Sequence, residues 1–214
     1  MMDVLLIADL HGNFGKIESF LDLNADAMIV AGDITNFGPV DAVEGLFSRI
    51  DIPCVAVPGN CDPREILDAL EQSDAVSLHG SRISLGNRVT VAGLGGSNPT
   101  PFQTPFEFSE EEIDQILTTT VSKMERTVHN VLLSHCPPHG ALDLVESRHV
   151  GSTSVRNHLK AFDLVCCAHI HEQRGVTDLD GVRIVNPGMA SDGNCALLHF
   201  GDVAKEITVE LITV

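Results

Sequence analysis

The chain contains no tryptophan and no tyrosine, so nine phenylalanines supply all the aromatic volume of its 214 residues. Its 43% hydrophobic content, dominated by Val, Leu and Ile, still provides enough apolar area for a full core. Basic residues are scarce: 13 Lys and Arg stand against 30 Asp and Glu, a formal charge of −17 spread along the chain. A surface of that sign repels polyanions, which excludes long duplex nucleic acid as an expected partner. Only four of the basic residues are lysines (Lys16, Lys123, Lys160, Lys205), a bias compatible with a moderately saline cytoplasm or with compositional drift. Long apolar runs are missing too. The first is cut short at Asp9, and none approaches the roughly 20 residues that span a bilayer. The six cysteines (Cys54, Cys61, Cys136, Cys166, Cys167, Cys195) show no paired spacing, and no signal-peptide pattern precedes them. They are expected to be reduced thiols of a cytoplasmic protein. With no linker and no internal repeat, one domain over residues 1–214 is expected.

What is present begins as an alternation. Apolar runs at Val4 to Ala8, Ala27 to Ala31 and Cys54 to Val57 predict strands, with helices from about Phe14 to Leu23, Val40 to Arg49 and Pro63 to Glu71 between them. Such alternation implies a parallel sheet with crossover helices. Arg82 to Leu85 and Arg88 to Ala92 flank Gly86-Asn87, a hairpin connection that makes the sheet mixed. The stretch from Gly93 to Phe108 is too rich in Pro for a helix and reads as a long loop, a wall or lid. Ser109-Glu110-Glu111-Glu112 has capping-box spacing and opens a helix to about Arg126. A strand at Val131 to Leu133, a helix near Ser152 to Phe162 and a strand at Leu164 to Cys167 repeat the pattern. Val182 to Val185, Ala196 to Phe200 and Ile207 to Ile212 close it as strands. The layout implies an α/β fold in four layers, two mixed sheets packed face to face with helices outside.

Ligand side chains stand just beyond those strands: Asp9-Leu10-His11, Gly32-Asp33, Gly59-Asn60-Cys61-Asp62, Ser134-His135 and Ala168-His169-Ile170-His171. Carboxylate with imidazole favours Mn, Fe or Zn over Ca or a cysteine-bound zinc. Asp9 and His11 are two apart and face one side if strand geometry persists. Asp33 at the tip of the next strand suits a carboxylate bridge, since two cations roughly 3.5–4 Å apart repel. Asn60 offers a neutral oxygen and leaves its ion more net charge for substrate. His135 and His169 would complete the second position and His171 the first.

These segments resemble the calcineurin-like metallophosphoesterase superfamily, whose pattern is Asp-x-His, Gly-Asp, Gly-Asn-His-Asp/Glu, His, and Gly-His-x-His. The match runs from residue 9 to 171. The resemblance implies a first metal site of Asp9, His11, Asp33 and His171 and a second of Asp33, Asn60, His135 and His169, with every ligand position filled. It also implies two divalent ions, Mn first and Fe, Zn or Ni as other candidates. The small bacterial and archaeal members are similar again at Asn186-Pro187-Gly188, at His171-Glu172 and in the Pro-rich loop after Gly95-Gly96. Two positions depart: Ala168 replaces the usual Gly, and Cys61 replaces a His that contacts phosphate or protonates the leaving group. A thiol with a reference pKa of about 8.5 is a poor acid beside a phosphate dianion.

The reading that follows is hydrolysis of a small phosphoester, a diester in particular, by in-line attack of a hydroxide bridging the two ions, with Asp33, Asn60, His135 and Cys61 around the reacting group. Asn36, Asn60, His139 and His149 are candidates to touch substrate, and His139 and His149 are the spare imidazoles, either of them a candidate to replace the missing acid. Asp62-Pro63-Arg64-Glu65 reads as a helix start with Asp62 as its cap, or with Asp62 orienting Asn60 or substrate, and Gly151-Ser152 as a cap or a phosphate contact. His79, His129, His158 and His199 read as structural or surface residues. A non-catalytic scaffold like the retromer subunit of the same fold, a phosphomonoesterase or nucleotidase, and a di-iron redox protein are the competing readings. The last lacks the paired Glu-x-x-His ligands. A monomer or small homo-oligomer is expected.

Overall fold

Each central strand carries apolar residues on both faces, as a strand must when it is covered by a second sheet on one side and by helices on the other. The computed structural model describes residues 1–214. In chain order the elements are β1 (Met2–Ile7), α1 (Ile17–Leu21), β2 (Ala27–Ala31), α2 (Val43–Phe47), β3 (Cys54–Val57), α3 (Ile66–Glu71), β4 (Val76–Ser77), β5 (Arg82–Leu85) and β6 (Val89–Leu94). Then follow α4 (Glu110–Ser122), β7 (His129–Ser134), β8 (Leu144–Val145), β9 (Arg148–His149), α5 (Thr153–His158), β10 (Leu164–Cys166), β11 (Gly175–Leu179), β12 (Val182–Asn186), β13 (Asn194–Phe200) and β14 (Ile207–Thr213).

Two six-stranded sheets form, in the orders β14-β13-β1-β2-β3-β4 and β11-β12-β10-β7-β6-β5. β1 through β4 run parallel, as do β6, β7, β10 and β12, while β13, β14, β5 and β11 are antiparallel to their neighbours. Val4, Leu6 and Ala8 of the first sheet face Val131, Leu133 and Leu164 of the second in the central core. Leu5, Ile7, Met28 and Val30 turn the other way onto Phe20, Leu46, Phe47 and Ile66 of α1 to α3. Leu132, Val165 and Ile184 pack on Ile113, Leu117 and Val155 of α4 and α5. This is the four-layer α/β sandwich expected, and it aims the carboxyl ends of β1, β2, β3, β7 and β10 at one rim.

The helices differ most from expectation. α1, α2 and α3 have five or six residues each, and the turns beside α2 close with bonds three residues apart (Val43 N to Val40 O, 3.0 Å; Arg49 N to Leu46 O, 3.2 Å). α5 likewise stops at His158 and continues as a 3-10 turn over Leu159–Ala161. The capping box at Ser109 and Glu112 forms as read, though α4 ends at Ser122 rather than near Arg126. Pairing of Leu85 with Val89 leaves a three-residue hairpin connection instead of two. β4, β8, β9 and β11 carry too little apolar pattern to announce themselves: they are two-residue segments or an edge strand that alternates half-buried with exposed positions. No helix is long and apolar enough to cross a membrane, and none of the six cysteines is disulfide-bonded.

Candidate metal centre

Strand geometry does not persist to the ligands. β1 ends at Ile7, and Asp9, His11, Asp33 and His169 all adopt left-handed backbone, with φ of 55°, 47°, 48° and 71°. Such a conformation costs a non-glycine residue on the order of 1 kcal/mol or more. It persists because the loops hold each other: Asp9 N donates to Gly32 O (3.0 Å), His11 N to Asp33 O (2.8 Å) and Gly12 N to Ile34 O (2.9 Å). Ala168, by contrast, has no positive φ, so its methyl group in place of the usual Gly is tolerated.

Donor atoms converge in three overlapping groups, Asp9 with His11 and His171, His11 with Asp33 and Cys61, and Asp9 with Asp33 and His135, each group within 4.8 Å. Acceptors outnumber donors in the arrangement. Both carboxylate oxygens of Asp9 are buried with no hydrogen-bond partner, an expensive state unless a cation faces them. His135 Nδ1 lies 2.7 Å from Ala31 O, so it must donate there, and a neutral ring then presents a bare Nε2. That Nε2 faces Asn60 Oδ1 at 2.8 Å and Asp33 Oδ1 at 3.5 Å, which are also acceptors. His11 Nε2 and His171 Nε2 approach to 3.2 Å, and the His169 ring lies edge-on to His135 with centroids 5.2 Å apart. Apart from a proton that the facing His11 and His171 nitrogens can share, these contacts set acceptor against acceptor, so Asp9, His11, Asp33, His135 and His171 fit a divalent metal, while His169 stands beside them without joining any of the three groups.

Electrostatics prepares the same set. Burial raises the Asp9 carboxyl, but the facing His171 imidazole, 3.7 Å away, together with His135 and His11 outweighs it and holds the group below its usual range. The same contact with Asp9 raises His171 against its own burial. Burial, with His135 beside it, pushes His169 down to about 4, so that ring is neutral over the working range. A metal held by these two rings would therefore displace a proton from His171 but not from His169, and its affinity would fall as pH drops through the raised His171 value. Chelator competition at pH 7.5 and 5.5 should read a loss of about tenfold per pH unit for each imidazole that must shed a proton. Affinity that is flat across that window would contradict the donor set.

The loops meet with almost no space between them. A Cβ at Gly32 (φ 90°) would lie 2.6 Å from both Gly59 N and His135 Nδ1. Asp62 is the clamp. Its buried carboxylate accepts from Gly59 N (2.8 Å), Ile34 N (3.1 Å), Thr35 N (2.7 Å) and Thr35 Oγ1 (2.9 Å), tying the β3 loop to the β2 loop. Asp62 is therefore not the cap read from Asp-Pro-Arg-Glu, since α3 begins three residues further on, behind Glu65. Ser152 does cap α5 through Val155 N (3.1 Å), but the Glu110 carboxylate already takes Thr153 N, Ser154 N and the Ser152 hydroxyl. No phosphate contact remains there.

Two residues that pattern reading passed over fix Asn60. Glu107 Oε1 accepts from Thr104 N (2.8 Å) and from the Thr104 hydroxyl, whose oxygen in turn accepts from Asn60 Nδ2 (3.1 Å). The chain of bonds turns Asn60 Oδ1 toward His135. Thr104→Val should release Asn60 and weaken divalent-ion affinity roughly 10-fold, as loss of a partner behind a ligand does elsewhere. Calorimetric metal titration checks this, and an unchanged isotherm would remove Thr104 from the centre.

Of the other candidates, Cys61 lies among the donors, its N–H donating to Asp33 Oδ1 (2.8 Å), and burial and the Asp33 charge push its thiol far above the ordinary range. His149 lines a 660 Å³ groove together with His169, between the Pro-rich loop and the β8–β9 hairpin, so that loop is a wall as read. The His139 ring lies 5.3 Å from that of His149, and Asn36 is exposed beyond Asp33. His79 buttresses the loop, accepting from Gly95 N (3.0 Å) and stacking on Phe108, while His129 and His199 bond to Gly201 O and Asp3, and His158 to Ser154 O. All four stay outside the cluster.

Residues 2–173 match the family described as calcineurin-like phosphoesterase. An uncharacterised protein of Methanocaldococcus jannaschii is 36% identical over 202 residues, covering 89% of each chain. Among solved structures, the Thermus thermophilus protein TT1561 superposes with a TM-score of 0.74 at 20% identity over 98% of both chains. A dimetal phosphatase from Danio rerio gives 0.65 at 13% identity over 99% of this chain and 98% of its own. With its fold, its donor cluster and the greater part of its length in agreement, the chain belongs to the calcineurin-like phosphoesterase family.

Proposed function

We propose that this chain hydrolyses small phosphodiesters with two divalent ions, Mn first among candidates. Asp9, His11, Asp33 and His171 would hold one ion and Asp33, Asn60, His135 and His169 the other. The observation that carries the reading is the convergence of acceptors, Asp9 with both oxygens bare and His135 Nε2 against Asn60 Oδ1 and Asp33 Oδ1. When bound, such ions supply Lewis-acid charge against the phosphoryl oxygens and make water acidic enough to attack at neutral pH. The rest belongs to the chain's own residues. Asp33 gives one carboxylate to both donor sets, and Cys61 N–H fixes its orientation. Asn60, neutral and anchored by Thr104, binds without cancelling charge. The groove beside His169 receives the departing part of the substrate. Diester rather than monoester is favoured because the groove beside His169, walled by Phe102, Val145 and Val150, has room for an esterified group on the phosphate.

Turnover of bis-p-nitrophenyl phosphate and p-nitrophenyl phosphate by metal-stripped protein reloaded with Mn tests this. Diester preference that appears with Mn and vanishes with chelator is expected. Preference for the monoester would replace the reading with a phosphatase, and absence of both activities despite bound metal would favour a scaffold.

A further inference from the structure

The groove contains an arrangement that the metal centre leaves unused. Asp143 is fully buried, and its Oδ2 accepts from Gly140 N and Gly151 N, both at 3.0 Å. Its Oδ1 lies 2.6 Å from His149 Nδ1. A carboxylate fixed by two backbone donors sets the imidazole plane, and it requires Nδ1 to carry the hydrogen. His149 Nε2 makes no hydrogen bond, and the ring lines the same groove as His169. Buried carboxylate, oriented imidazole and a free second nitrogen form the arrangement that acid–base chemistry uses.

The groove walls indicate what departs. Phe102, 83% exposed, and Pro101 stand on one side, and Val145 and Val150 on the other. Exposed apolar side chains around a concave surface suit a flat aromatic or otherwise apolar group. Glu146 at the edge and the chain's acidic balance disfavour a departing group that carries further phosphates.

We propose that His149, oriented by Asp143, protonates the leaving-group oxygen of a phosphodiester whose departing aryl or nucleoside alcohol lies in this groove. This rests on the phosphoesterase reading above and supplies the acid that the family pattern places where this chain has Cys61. The balance is simple. The new P–O bond forms to the oxygen of water as the bond to the alcohol oxygen breaks. The cationic imidazole gives its Nε2 proton to that oxygen, and the proton released by the attacking water restores the imidazolium. One water is consumed, and one alcohol and one monoester are formed.

A general acid matters most when the leaving group is poor. Mn-loaded wild type, His149→Gln and Asp143→Asn should be compared on diphenyl phosphate and on bis-p-nitrophenyl phosphate, whose phenol is the stronger acid. His149→Gln should lower turnover of diphenyl phosphate by roughly 100-fold and of the nitrophenyl diester by far less, so the rate ratio between the two substrates widens. The His149 side chain is 43% exposed, so melting temperature and bound metal should stay at wild-type values. Asp143→Asn should widen the ratio in the same direction by a smaller factor. Equal losses on both substrates, or no loss on diphenyl phosphate, would overturn the dyad while leaving the phosphoesterase intact. Wild type inert toward both diesters would overturn the underlying reading.

Discussion

Asp33→Asn is expected to cut Mn-dependent diester turnover by at least roughly 10³-fold, about 4 kcal/mol of barrier, while the fold survives. Asp33 is a carboxylate within reach of both donor sets, its Oδ2 3.8 Å from His11 Nε2 and its Oδ1 3.5 Å from His135 Nε2. Its single side-chain hydrogen bond is the one from Cys61 N at 2.8 Å, which an Asn oxygen accepts equally well. The substitution therefore preserves shape and that contact. What it removes is a negative charge, and it turns an NH2 group toward sites that need acceptors. Two cations held by these donor sets would then face a neutral amide and lose the charge that offsets their repulsion, so bound metal should fall by at least one equivalent. Elemental analysis, melting temperature and turnover on one preparation separate the effects. Turnover within tenfold of wild type, or two ions retained, would contradict a shared carboxylate.

Why some of this was readable in the sequence and some was not comes down to distance along the chain. Asp9, His11, Asp33, Asn60, His135, His169 and His171 each follow a short apolar run, and a buried strand delivers its end to one rim whatever the helices do. The supporting residues have no such marker. Asp62 precedes Pro63 and Glu65 in a pattern that specifies a helix cap, yet its carboxylate is claimed by Gly59, Ile34 and Thr35, two of them on another loop. A tertiary contact overrode the local preference. Thr104 and Glu107 lie in a Pro-rich stretch whose composition marks a loop but not which loop atom reaches Asn60. The Asp143–His149 pair forms only because Leu144–Val145 and Arg148–His149 fold back as a hairpin, and two-residue strands are too short to give a period. The left-handed backbone at four ligands had no sequence signal either, since aspartate and histidine tolerate it only under the constraint of neighbouring loops.

That same crowding predicts the largest effect on stability, at a residue with no side chain. A Cβ at Gly59 would overlap Asp33 N and Asp33 Oδ1 and lie 2.7 Å from Asp33 Cα. None of these atoms can yield. Asp33 is held at its carbonyl by His11 N and at its carboxylate by Cys61 N, while Gly59 N is pinned to Asp62 Oδ2 at 2.8 Å. Gly59→Ala should therefore force the β2 and β3 loops apart at a cost of about 3 kcal/mol or more, a melting temperature lower by roughly 6–12 °C. Gly45→Ala is the matched control. Gly45 lies within α2 with nothing within 4 Å of its missing Cβ, so there the same methyl should stabilise by about 0.5–1 kcal/mol through helix propensity. Opposite signs at the two glycines, read by thermal unfolding of metal-free protein, locate the effect in loop contact rather than in the substitution itself. Equal melting temperatures for Gly59→Ala and wild type would mean that the β2 and β3 loops separate without cost, and Asp33 would then lose the rigid support on which its role between two donor sets depends.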